Sequence, residues 1–216
     1  MTQAEVIQRR TEQQAVIAEE LKQDGFTEEK ASISTVKANI DAIGTSLPFA
    51  ILFLFLFWII TGISGQEFIN YIKDLFDETR LFGLPVVLVG FASIPVHEGL
   101  HGLGWHLFCG KKWNSIEFGI MKELLTPYCY CGEPLKLSQY YLGLLLPFLT
   151  LGVIPSVLGL ITGSVFLIVT GVYNIFLAGG DTTIACILVK YIRVNSEKSV
   201  KILDHPSECG CRIFLK

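Results

Sequence analysis

His97, Glu98 and His101 stand in the run His-Glu-Gly-Leu-His, the H-E-x-x-H spacing. On an α-helix, residues four apart lie one turn above each other, so both imidazoles reach one metal ion. Glu98 lies beside them, placed to act as a base. Zinc in such a site holds a water whose pKa falls to about 7, and a neighbouring carboxylate takes its proton as it attacks a carbonyl. The spacing therefore points to hydrolysis, with Glu98 catalytic and the two histidines as metal ligands.

Two histidines do not complete a catalytic zinc site, which uses about three protein ligands and keeps one position open. Asp181, in Ala-Gly-Gly-Asp-Thr-Thr, is the candidate third ligand. Gly179 and Gly180 before it loosen the helix and let backbone approach the metal closely. Asn174, two turns earlier, is a candidate for holding a substrate backbone. His106 falls on the far side of a continuous helix from His97 and is one residue short of the extended three-histidine spacing, so it is set aside as a ligand. His205, in Asp-His-Pro, is read as structural.

The elements that must carry these residues are apolar. Of 216 residues, 51% are hydrophobic and 17% charged, and the mean hydropathy is +0.51. Globular chains carry about 25% charge, so the composition is that of a membrane protein. A net charge of -3 and no basic cluster with interleaved aromatics exclude nucleic acid as a partner. Between Arg80 and Lys111 the only formal charge is Glu98, in a run long enough to cross a bilayer, which takes about 20 residues. An acid at that depth costs about 3 kcal/mol to insert and so needs a partner or a function.

Four spans are expected, near residues 47–63, 81–108, 139–158 and 165–192, with the last turn at Gly159 to Ser164. The predicted fold class is an all-α polytopic membrane protein with a small cytoplasmic β-hairpin between spans two and three and an N-terminal helical arm. Residues 1–45 form that arm, 46–211 the membrane-embedded domain and 193–216 a cytoplasmic tail. In the arm, residues 3–23 read as one helix ending at Asp24-Gly25, and a second is expected after Thr27, a capping residue followed by two glutamates. The arm's polar, acidic composition does not fit a cleaved leader. Glu67 to Arg80 reads as an interfacial helix. Ile116, Phe118 and Ile120, then Tyr128 and Tyr130, alternate as in strands, with Thr126-Pro127 as a break. Such a hairpin could present an edge strand to an extended substrate.

Placing both termini in the cytoplasm puts 15 of the 17 Lys and Arg on that side, as the positive-inside rule requires. The expected location is the cell membrane. His97, His101 and Asp181 then lie about 15 Å from the cytoplasmic end of their spans, level with each other. Cys109, Cys129, Cys131, Cys209 and Cys211 fall on the same reducing side, where disulfides are not expected. The two Cys-x-Cys pairs, 129/131 and 209/211, are either free thiols or a four-thiolate zinc site.

The stretches H-E-G-L-H-G, T-P-Y-C-Y-C, L-L-P-F-L-T-L-G-V-I-P, A-G-G-D and D-H-P-S-E-C-G resemble a family of bacterial membrane proteins described as zincin peptidases. That family is similar to the site-2 protease class of intramembrane metalloproteases. The resemblance spans roughly Leu81 to Cys211 and implies a zinc-dependent endopeptidase acting on a peptide or membrane-protein substrate. It makes His97, His101 and Asp181 the metal ligands and Glu98 the general base. The chain departs from the site-2 pattern where Thr182 rather than glycine follows Asp181 and no proline follows Asn174. The competing reading is a non-catalytic metal-binding membrane scaffold or sensor working through a partner.

Overall fold

The computed structural model describes residues 2–33, 35–75, 83–121, 126–194 and 199–216. At the N-terminus, α1 (Gln3–Gln23) starts where the Thr2 hydroxyl accepts the Glu5 N–H and the Glu5 carboxylate accepts the Thr2 N–H, a reciprocal cap. It stops at Asp24, followed by Gly25 at φ +86°. The apolar run that follows sits in α2 (Thr35–Thr61), and α3 (Gly65–Leu75) covers the first part of the expected interfacial helix. Residues 76–80, its expected end, lie outside the described residues.

The helix of the histidines is α4 (Gly83–His106), 24 residues long. α5 (Leu137–Pro147) runs through a wider π-helical turn, Phe148–Val153, into α6 (Ile154–Thr162). Gly163, at φ +67°, ends this run inside the predicted turn. Ser164 then caps α7 (Val165–Leu177), which leads into α8 (Gly179–Val194). Two stretches, Ile40–Thr61 and Leu137–Thr162, are long and apolar enough to cross a membrane. α7 and α8 make a third if taken as one span bent by 56°.

The chain is mostly helical but not all-α. β1 (Thr27–Ile33) pairs antiparallel with β6 (Cys209–Leu215), which pairs with β5 (Val200–Asp204), and β5 with the short β4 (Leu135–Lys136), in the order β1-β6-β5-β4. The helix expected after Thr27 is therefore a strand. Its local capping signals lose to a ladder of seven partners, from Thr27 opposite Leu215 to Ile33 opposite Cys209. The arm and the tail are likewise joined in one sheet, and the arm itself runs into α2. Between α4 and α5, β2 (Ile116–Met121) and β3 (Thr126–Cys131) form the predicted hairpin. Thr126-Pro127 begins the second strand instead of breaking it.

Three apolar clusters hold these layers together. Trp105, Tyr140, Leu144, Leu188, Ile202 and Ile213 join α4, α5 and α8 to the sheet. Phe53, Phe57, Phe148, Ile168 and Ile175 join α2 to the bent helices. Ala18, Leu21, Phe26, Leu203 and Phe214 lay α1 against the sheet. The α4–α5 crossing is so close that a Cβ on Gly104 would sit 2.5 Å from Gly143 Cα.

Candidate metal centre

Four residues apart on α4, His97 and His101 bring their Nε2 atoms to 3.1 Å. Asp181, in the first turn of α8, places Oδ2 3.1 Å from His97 Nε2 and Oδ1 3.3 Å from His101 Nε2. One ligand atom from each residue lies within 4.8 Å of the others. All three side chains are largely enclosed. The bend between α7 and α8 aims Asp181 at α4. It is held by Thr45 of α2, which hydrogen-bonds the Gly179 carbonyl (3.2 Å) and the hydroxyls of Thr182 (2.9 Å) and Thr183 (3.0 Å). Gly179 is needed because a Cβ there would lie 2.8 Å from Ala42 Cβ.

The donor set fits zinc. Two nitrogens sharing a tetrahedral ion at about 2.05 Å stand about 3.3 Å apart, close to the spacing found. Asp181 Oδ2 is buried and has no hydrogen-bonded partner among the described residues, which suits a carboxylate facing a cation. His101 Nδ1–H donates to the Gly143 carbonyl (2.9 Å), which fixes the tautomer with the Nε2 lone pair directed at the site. On its other flank the His101 ring stacks on Trp105, and Trp105 on Tyr140.

Glu98 faces a cleft of about 520 Å³ that also contains His97, His101 and Asp181. The Cys129 backbone N–H of β3 donates to its carboxylate. Two residues on, the Cys131 N–H donates to Asp204 Oδ2 (2.7 Å), while the Tyr140 hydroxyl donates to Asp204 Oδ1 (2.6 Å). Asp204 is enclosed, and burial pushes its carboxyl up to about 6. These bonds occupy N–H groups on the outer edge of β3, where Pro127 offers none. The roles of Gly143 and Cys129 here are carried by backbone atoms, which no motif marks, and Asp204 enters the sequence reading only as part of the Asp-His-Pro run.

Other singled-out residues stand apart from the centre. Asn174 is buried on α7, with Nδ2 donating to the Thr170 carbonyl (2.9 Å) and Oδ1 without a partner among the described residues. It does not line the cleft. His106 stacks on Trp113. His205 lines the cleft, and its Nδ1 accepts the Glu208 N–H (2.9 Å). Among the described residues, the histidine-aspartate set is the one group of three metal-type ligands, so no four-thiolate site is formed there. The Cys209 side chain lies outside them.

The arm is not a free tail. Arg10, almost fully enclosed, bonds Glu117 of β2 (2.9 Å) and the Tyr128 hydroxyl (3.2 Å), and its guanidinium lies 4.1 Å from the Tyr130 ring centroid. Arg9 shares Glu117 at 2.7 Å. Gln3, Val6, Ile7 and Arg10 line the same cleft as His97, His101 and Glu98.

Fold and site define a mostly helical, strongly apolar protein in which two histidines and an aspartate, residue types that ligate metals, converge with a carboxylate alongside. Residues 90–193 match the family described as "Putative zincin peptidase". The matched segment holds His97, Glu98, His101 and Asp181, and the family's description implies zinc as the metal. No curated protein and no solved structure matches the chain.

Proposed function

We propose that the chain is a zinc-dependent endopeptidase of the intramembrane, site-2 protease-like kind. The observation that carries this is the convergence of His97, His101 and Asp181 beside Glu98 in one cleft. His97, His101 and Asp181 would hold the zinc, which when bound would supply Lewis-acid activation of water and of a peptide carbonyl. The Glu98 carboxylate takes the proton from the attacking water and hands it to the departing amide nitrogen. The Cys129 N–H keeps that carboxylate aimed into the cleft. The Gly143 carbonyl keeps His101 in the ligating tautomer.

The membrane placement rests on surface chemistry. Val87, Leu88, Phe91 and Leu103 project from α4 into open space, as do Ile51, Leu52, Phe55 and Trp58 from α2. Apolar stripes of this size are stable against lipid, not water. With α4 as a span of 24 residues, the chain crosses four times. Both termini then share the basic, cytoplasmic side, where the hairpin, the sheet and α1 sit over the metal centre. Residues 1–45 and 193–216 act together as its cytoplasmic cover, and 46–192 as the membrane body. The substrate is a membrane protein or peptide drawn into extended form along the hairpin. Asn174, buried on α7 and bonded to its own helix, supports helix packing more than substrate contact.

Glu98→Gln tests the role of the base. Purified in detergent, the variant should keep its zinc and lose hydrolysis of fluorescently labelled casein. Cleavage by the variant at the wild-type rate would refute it.

A further inference from the structure

Outside the metal centre, two cysteines that the proposed chemistry does not use bring their sulfurs together. Cys109 follows the end of α4, and Cys131 is the last residue of β3. Their Sγ atoms are 3.5 Å apart, and each residue is 1% exposed. Both stand at element ends, Cys109 before a turn and Cys131 before Gly132. Closing 3.5 Å to a bond of about 2.05 Å therefore asks for side-chain rotation and a small backbone shift, without breaking a helix or a ladder.

We propose that Cys109 and Cys131 form a redox-active dithiol that a peroxide converts to a disulfide, tying the end of the metal helix to the strand that holds Glu98. Cys109 is the attacking sulfur. Its thiol is held below the usual cysteine range by the hydrogen bond from Cys131, and that bond, with burial, pushes Cys131 up, so it stays protonated. The Cys109 thiolate attacks one peroxide oxygen, an S–O bond forms, the O–O bond breaks and water leaves after protonation. The Cys131 sulfur then displaces the hydroxyl from the sulfenic acid, giving the S–S bond and a second water. Two thiols lose two electrons and two protons, and one peroxide becomes two waters.

A thiolate metal site is the rival use of these sulfurs, but no third ligand joins them among the described residues. The consequence for the cleft follows from register. Cys131 is two residues from Cys129, whose N–H holds Glu98, so the disulfide pins that strand to α4. Reduction returns it to packing and hydrogen bonds alone.

The experiment uses the full chain in detergent micelles and is independent of any peptidase activity. Protein titrated with hydrogen peroxide is denatured, alkylated with N-ethylmaleimide, digested and mapped by mass spectrometry. The expected result is a Cys109–Cys131 linked peptide, two hydrogens lighter than its separate halves and released by dithiothreitol, with Cys129 and Cys211 still alkylated. Exposed Cys186 is the internal control for oxidant dose. Complete alkylation of Cys109 and Cys131 at a dose that oxidises Cys186 overturns the proposal. So does linkage of Cys131 to Cys129 or Cys211, or protection of the pair by a second bound zinc. Wild-type mapping alone decides, so no variant need fold.

Discussion

Gly104→Ala separates a glycine needed for the metal centre from one that merely lies within the motif. An ideal Cβ at position 104 would stand 2.5 Å from Gly143 Cα and 3.3 Å from Gly143 N. Ordinary carbon contacts are about 3.5 to 4.0 Å, so α4 and α5 must part by about 1 Å. The Gly143 carbonyl is 2.9 Å from His101 Nδ1. Moving it by that amount takes it to about 3.9 Å, beyond hydrogen-bond range. Losing such an outer partner costs about 10- to 100-fold in metal affinity, and overpacking the crossing costs about 1–3 kcal/mol of stability. Gly99 sits between Glu98 and Leu100, yet a Cβ there meets nothing within 4 Å, so Gly99→Ala should leave zinc affinity unchanged. Equilibrium competition with a chromophoric chelator in detergent measures both. Equal zinc affinity in Gly104→Ala and wild type would refute the argument from the crossing.

Arg10→Ala should loosen α1 by about 1–3 kcal/mol, because it strips a charge-assisted bond from Glu117 and opens the stack on Tyr130. Amide hydrogen exchange over residues 3–23 should accelerate, and unchanged protection would count against a docked arm. Asp204 sets a pH dependence. Its folded carboxyl titrates at about 6, above the ordinary 3.8, so the fold favours the protonated form and stability falls as pH rises from about 4 to 6. Two units correspond to roughly 3 kcal/mol. Thermal midpoints of Asp204→Asn should lack that slope across the window, whereas parallel curves for variant and wild type would contradict the assignment. Thr45→Val removes the hydroxyl that binds Gly179, Thr182 and Thr183. It should weaken zinc binding while leaving the helical circular dichroism intact, and unaltered binding would show that Asp181 is positioned without it.

Much of the centre was legible because its chemistry is written in periodicity. His97 and His101 recur at a helical turn, and an acid in an apolar run has few uses besides the one suggested for Asp181. The hairpin showed in the alternation of Ile116, Phe118 and Ile120, and α1 in its stop at Asp24-Gly25. What stayed hidden depends on partners distant in the chain. Thr27-Glu28-Glu29 looks like a helix start until Leu215, Phe214 and Ile213 lie opposite. The 56° bend before Gly179 leaves no room for a Cβ between that glycine and Ala42 of α2, a contact that no local pattern records. The groups that orient Glu98 and His101 are a backbone N–H and a backbone carbonyl, present at every position and selected by packing alone.

Zinc content is the most direct measurement of the central claim, that His97, His101 and Asp181 hold one ion. Elemental analysis of detergent-purified wild type, His97→Ala and Asp181→Asn should give one zinc per chain in the first and none in the other two. Zinc retained in both variants would contradict the three-ligand centre and leave Glu98 without the chemistry assigned to it.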